Sequence, residues 1–247
     1  MVTAFAPLPR LENAVELLDR PGYPDGEVRG SLRDLGRLNR LFGGTRAVLR
    51  HLGPWLARPA LAPPTLLDVG TGGADIPRAI CCWARRRGVA VTVEAVDRSD
   101  QALAAAAEWS AAYPEIRLRC VEAPPLPYAD GSFDYAMASL VLHHLTTARG
   151  VRLLREMGRV ARRGVIVSDL ARCRRARFLT ALGTRLLSRN RLTRHDGPLS
   201  VLRGFQPGEL VRMASEAGLG AARVGRHPWF RLTLVAEEPH GGGGAAR

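Results

Sequence analysis

Two carboxylates flank a glycine-rich turn in the stretch Thr65-Leu66-Leu67-Asp68-Val69-Gly70-Thr71-Gly72-Gly73-Ala74-Asp75-Ile76-Pro77. Asp68 closes a short apolar run (Leu66, Leu67, Val69) that follows Pro63-Pro64 and reads as a buried strand. Residues 76–87 carry apolar side chains at helical spacing. The glycines therefore occupy a strand-to-helix turn, the setting that separates a nucleotide-binding loop from a chance cluster. Glycine lets the main chain take angles closed to other residues and lets a ligand approach it. A dinucleotide loop would read G-x-G-x-x-G, its helix aimed at a pyrophosphate. Here Asp68 and Asp75 would repel a diphosphate, and they suit a cation such as the ammonium of an amino acid. A third acid, Asp97, ends the next apolar run, residues 89–96. It stands at the distance from the glycines that suits a ribose, whose two hydroxyls one carboxylate can hold. Incidental glycines and a solvated strand-end acid are the plain alternatives.

A ligand joining a nucleoside to a cationic amino-acid arm is S-adenosylmethionine. The residues above resemble motif I of the class I S-adenosylmethionine-dependent methyltransferases, D/E-x-G-x-G-x-G, with Ala74 in place of the third glycine. Glu122-Ala123 resembles the acid-plus-small pair that the family sets beside adenine, Glu being a methylene longer than the usual Asp. Leu126-Pro127-Tyr128-Ala129-Asp130-Gly131-Ser132-Phe133-Asp134, running on to His143-His144, resembles the family stretch LPF-x-D-x-SFD…LHH. The resemblance spans about residues 64–237 and is strongest toward bacterial small-molecule methyltransferases, including the quinone-biosynthesis type. It implies that Asp68 and the backbone of Gly70 and Gly72 hold the methionine arm, that Asp97 fixes the ribose, and that Glu122 and Ala123 flank the adenine. Thr71, Asp75, Arg98 and Ser139 join that cofactor set. The product would be S-adenosylhomocysteine. The scheme requires no metal, and no His/Cys/acid spacing in the sequence suggests one.

The acceptor side is less determined. His143 and His144 follow the fourth strand, at the edge where ligands gather in open parallel sheets. An imidazole can take a proton from a phenol or hydroxyl near neutrality; a positioning or structural role is the competing reading. His195 with adjacent Asp196 is a second candidate base and polar contact for the acceptor, and Arg194 and Arg203 are contacts for an anionic one. Their stretch, residues 192–205, reads as a polar loop stabilised by Asp196-Gly197-Pro198.

These side chains need a scaffold, and the order of elements supplies one: a Rossmann-like, doubly wound α/β fold. Its mostly parallel seven-stranded sheet would carry helices on both faces and an antiparallel last strand. Residues 1–62 read as a helical prefix that caps the acceptor site or packs on the sheet. Within it, residues 11–18 form a short helix, and Ser31 caps another bearing Leu32, Leu35, Leu38 and Phe42 on one face. Residues 63–238 are the methyltransferase domain, with a lid insertion at about 171–206, and residues 239–247 are a Gly-rich flexible tail. In the insertion, Phe178, Leu179, Leu182, Leu186 and Leu187 share a helix face ringed by Arg174, Arg175, Arg177, Arg185 and Arg189. That face either packs on its own domain or lies on a membrane surface.

With 247 residues, 46% of them hydrophobic, the chain can bury a sizeable core. The net charge of +13 comes from arginine alone, since the sequence has no lysine. Such a bias follows from GC-rich codons as readily as from selection for an anionic partner, so nucleic acid stays a secondary candidate. No N/D-P-P-Y/F/W motif supports that candidate. Cys81, Cys82, Cys120 and Cys173 form no C-x-x-C pair and read as buried thiols, in keeping with a reducing cytoplasm. No signal peptide or membrane span is expected. The expected function is in-line methylation of a hydroxyl or activated carbon on a hydrophobic small molecule. A nucleic-acid methyltransferase and a non-catalytic cofactor-binding protein are the rivals, and oligomeric state is left open.

Overall fold

The computed structural model describes residues 8–59, 61–220 and 222–237; the expected tail falls outside them. Seven strands, β1 (Thr65–Val69), β2 (Thr92–Asp97), β3 (Ile116–Cys120), β4 (Phe133–Ser139), β5 (Ala161–Leu170), β6 (Arg223–His227) and β7 (Arg231–Glu237), form one sheet in the order β3-β2-β1-β4-β5-β7-β6. Pairs from β3 through to β5 are parallel, and β7 runs antiparallel to both β5 and β6. Strand order reverses at β1, between β2 and β4, and this switch point is where open sheets leave a ligand crevice.

The apolar runs are continuous because both faces of the sheet are covered. Leu66, Tyr135, Met137 and Ile166 point to α2 (Gly44–Leu56) and α3 (Asp75–Arg85). Leu67, Val69, Ala136, Ala138, Val165 and Val167 point to α5 (Thr147–Val160) and α8 (Pro207–Glu216). Trp55 of α2 stacks on Tyr135 at 5.2 Å, so this part of the prefix packs on the sheet. Helix α1 (Asp25–Leu41) instead packs against α4 (Asp100–Trp109) through Val28, Leu32, Ala102 and Ala105. Ser99 caps α4 as expected, its side chain accepting the Ala102 N–H.

Local expectation fails at several places, each for a physical reason. Ser31 caps nothing: α1 begins six residues earlier, where Pro24 leads into Asp25 and Glu27, acids suited to a helix start. The helix expected over residues 11–18 is only a 3₁₀ turn, Leu17–Asp19, because Asp196 accepts the backbone N–H groups of Leu17 and Leu18 at 2.8 and 2.9 Å. The expected loop over residues 192–205 is largely a helix, α7 (Arg191–Arg203). Asn190 starts it by accepting the N–H groups of Leu192 and Thr193, and Pro198 is carried inside it. Cys120, expected to be buried, is exposed.

The largest departure is α6 (Arg174–Leu187). Its apolar face does not pack on the domain. It packs through small residues, Ala176 and Thr184 being buried, and Gly197 of α7 sits so close that a Cβ there would lie 2.6 Å from Thr184 Cγ2. Phe178 and Leu186 are largely exposed, at 67% and 74%, and Leu179, Leu182 and Leu187 are partly so, at 39–44%.

Candidate functional site

A cleft of about 530 Å³ lies over the switch point, lined by the β1–α3 turn, the ends of β2 and β4, and the inner side of α1. The turn is tight by construction. Gly70 has φ +70, and a Cβ there would collide with Val141 Cγ2. Gly72 (φ +53) is also left-handed, as is Ala74 (φ +54), the residue at the motif's third glycine position. Asp97 turns back over this loop: its Oδ2 accepts the Gly72 N–H at 2.8 Å and its Oδ1 the Ser99 N–H at 2.9 Å. Each oxygen keeps a second lone pair for a hydroxyl in the cleft.

Asp68 is 2% exposed, and burial pushes its carboxyl up to about 8, with Asp75 and Asp97 adding repulsion. Burial also raises Asp75, whose carboxylate accepts from Asn39 Nδ2 at 3.1 Å. Asp68, buried and facing two further acids, is what an ammonium group would relieve. Thr71, Arg98, Glu122, Ala123 and Ser139 line the same cleft, so the whole expected cofactor set is brought together. Ser139 Oγ is buried without a hydrogen-bond partner. Glu122 is held by Arg149 at 3.1 Å, and Arg98 reaches Asp19 at 3.0 Å.

A second cavity, about 390 Å³ and mainly apolar, adjoins the first. The two share Leu18, Leu35, Asn39, Leu140 and His144 as a common wall. Leu140 holds φ +60, a strained angle for a bulky residue, at that junction. Glu16, His143 and His144 form the polar end of the second cavity. His143 Nδ1 lies 2.6 Å from Asp169 and its Nε2 3.5 Å from Glu16. His144 Nδ1 lies 2.6 Å from Asp19 and its Nε2 3.8 Å from Glu16. Burial works against a charge on His144, but Glu16 and Asp19 outweigh it and raise the imidazole to about 9. Burial likewise opposes ionisation of Asp19 and Asp169. The partner imidazoles prevail, holding Asp19 at about 2 and Asp169 below its ordinary value.

The sequence gives no metal-like spacing, yet the fold sets the donor atoms of Glu16, His143 and His144 within 4.8 Å of one another. The cluster is occupied by its own partners: Asp169, Asp19, and the Ser200 hydroxyl, which donates to Glu16 at 2.9 Å. Glu16, Asp19 and Asp169 are the residues that sequence reasoning missed. Asp169 ends β5 at the ligand-bearing edge, a usable signal. Glu16 and Asp19 sit in irregular chain with no motif around them.

Four expected acceptor-side residues are placed otherwise. His195 is exposed on α7, bonded to Asp196 at 2.8 Å, and lines neither cavity. Arg194 donates to the carbonyls of Ser188 and Arg185 at the end of α6. Arg203 is buried and donates to the His143 carbonyl at 2.9 Å, beside Glu16. Asp196 borders the second cavity but spends its carboxylate on the Leu17–Asp19 turn. All four were read on a loop, and a helix aims them elsewhere.

The structure is thus a Rossmann-like sheet with Asp68, Asp75 and Asp97 lining the cleft at its switch point. Residues 67–168 match the family model described as a methyltransferase domain. No curated protein matches the chain in sequence. Among solved structures it is similar to a SAM-dependent methyltransferase from Aquifex aeolicus, at 19% identity and TM-score 0.58, over 88% of this chain and 100% of that one. It is similar to magnesium protoporphyrin IX methyltransferase from Synechocystis PCC 6803 with bound SAH, at 16% identity and TM-score 0.53, over 79% and 83%. It is also similar to the CMeT domain of the citrinin polyketide synthase, at 16% identity and TM-score 0.58, over 78% and 51%. These structural likenesses establish the fold. Residues 67–168 thus match a methyltransferase domain, and the fold is shared with solved S-adenosylmethionine-dependent methyltransferases.

Proposed function

We propose that the enzyme methylates a hydroxyl, or an activated carbon ortho to one, on a hydrophobic small molecule held in the second cavity. The observation that carries this reading is the shared wall: an apolar chamber meets the cofactor cleft at Leu140 and His144, with acid-held imidazoles at the meeting point. The bound cofactor supplies a methyl group made electrophilic by its sulfonium. Asp68 and Asp75 draw in the ammonium arm, Asp97 accepts from the ribose hydroxyls, and Glu122 with Ala123 borders the adenine. Asp169 orients the His143 imidazole through Nδ1, and Nε2, with Glu16 3.5 Å from it, is the end that takes the acceptor proton. His144, charged at neutral pH, faces the oxygen as negative charge develops on it. The citrinin polyketide synthase domain and the magnesium protoporphyrin IX methyltransferase among the structural neighbours agree in kind with such an acceptor.

The test is methyl transfer from radiolabelled cofactor to a panel of phenolic and quinone-like compounds. His143→Gln is expected to lower kcat by roughly a hundredfold, the usual worth of a general base, while S-adenosylhomocysteine affinity is kept. Asp97→Ala is expected to lose that affinity. Label appearing only in RNA or protein would overturn the acceptor class.

A further inference from the structure

We propose that α6 docks on an anionic lipid surface and that the second cavity opens toward that surface. The docking rests on the packing of α6; only entry of the acceptor from the lipid rests on the methyl-transfer reading above. The helix is inverted relative to an ordinary amphipathic one. Its buried positions are small, Ala176 and Thr184, whereas Phe178 is 67% and Leu186 74% exposed. The outward leucines Leu179, Leu182 and Leu186 also line the second cavity, so one apolar surface runs from solvent into the chamber.

Charge selects the partner. An open groove of about 610 Å³ beside this ridge is lined by Arg174, Arg177, Phe178 and Arg185, and the fourteen-residue helix contains no acid. None of these three arginines pairs with a carboxylate among the described residues. A nucleic acid would meet the guanidinium groups and leave the leucines in water. A lipid interface takes both, apolar side chains among the acyl chains and arginines at the phosphates. No helix among the described residues is long and apolar enough to cross a membrane, so α6 lies on the surface.

The experiment is co-sedimentation of the whole protein with phosphatidylcholine vesicles, with and without phosphatidylglycerol. Binding is expected only to the anionic vesicles. Each arginine near such a surface is worth about 1 kcal/mol, about fivefold, so the combined Arg174→Gln, Arg177→Gln and Arg185→Gln variant should partition on the order of a hundredfold less. Phe178→Ser should lose roughly tenfold, as one aromatic side chain stays in water. All these positions are exposed, and unchanged thermal unfolding checks that the variants fold. Binding to neither vesicle overturns the proposal. So does vesicle binding indifferent to Phe178→Ser, or arginine-dependent binding to tRNA with vesicles ignored. So, too, does a dimer in solution that buries α6. Failure of the acceptor screen with vesicle binding intact counts against the proposed function and leaves the docking standing.

Discussion

Asp68 shows how a single buried group reports on its ligand. In the free protein, burial, reinforced by Asp75 and Asp97, holds its carboxyl near 8, so it is mostly protonated at pH 7. An ammonium group seated against it would favour the ionised form, and the proton would leave. Titrating S-adenosylhomocysteine at pH 7 in buffers of different ionisation enthalpy should show release of about one proton, and Asp68→Asn should release none. A heat independent of buffer in the wild type would refute this role. The motif residues around Asp68 were legible because one short segment of chain carries them in fixed order. Glu16 and Asp19 were not. They reach His143 and His144 across more than 120 positions (His144 and Asp19 are 125 apart), and no local pattern encodes such a meeting.

At the scale of elements, strand periodicity and turn chemistry placed the sheet, since its strands are buried runs broken by glycine and proline. The same signals misread α7. Gly197-Pro198 looks like a turn, but Asn190 caps a helix upstream and Gly197 is there for another reason: it lets α7 approach α6. A methyl group at Gly197 would stand 2.6 Å from Thr184 Cγ2 and 3.3 Å from Thr180 Cγ2. Ala has the better helix propensity, by about 1 kcal/mol, but overpacking of this kind costs typically 1–3 kcal/mol. Gly197→Ala should therefore destabilise by about 1 kcal/mol net, a loss of roughly 2–4 °C in Tm. Adding Thr184→Ala removes the obstructing methyl, so the double variant should recover part of that loss. Additive single effects would show that the two helices do not touch as described. The inversion of α6 was illegible for a related reason: hydrophobic periodicity finds a face without saying whether protein or something else covers it.

Across the whole molecule, a line of charge joins the two cavities: Arg98 to Asp19, Asp19 to His144, His144 to Glu16, Glu16 to His143, and His143 to Asp169. It ties the irregular segment before α1 to the ends of β2, β4 and β5, so its titration should govern global stability. His144 is raised to about 9 from 6.5. Its contribution is full below pH 6.5 and is lost as pH climbs through 9. Asp68, raised to about 8 from 3.8, acts in the same direction: stability falls as pH rises from 3.8 through 8. Asp19, lowered to about 2, contributes above 3.8 and fails as pH drops toward 2, and the lowering of Asp169 adds to the acid limb. Stability should thus decline from mildly acid to alkaline pH, most steeply between 6.5 and 8, where His144 and Asp68 act together, each at roughly 1 kcal/mol per pH unit. General charge repulsion predicts the opposite, because the basic side chains are all arginine and a net charge of +13 can only fall on that limb. Urea unfolding at pH 6 and pH 8.5 separates the two accounts. A midpoint that drops at pH 8.5, drops less in His144→Gln, and is partly restored by S-adenosylhomocysteine would assign the loss to this line of charge and the cleft beside it. A midpoint that rises with pH would mean that the His144 and Asp68 environments differ from those described.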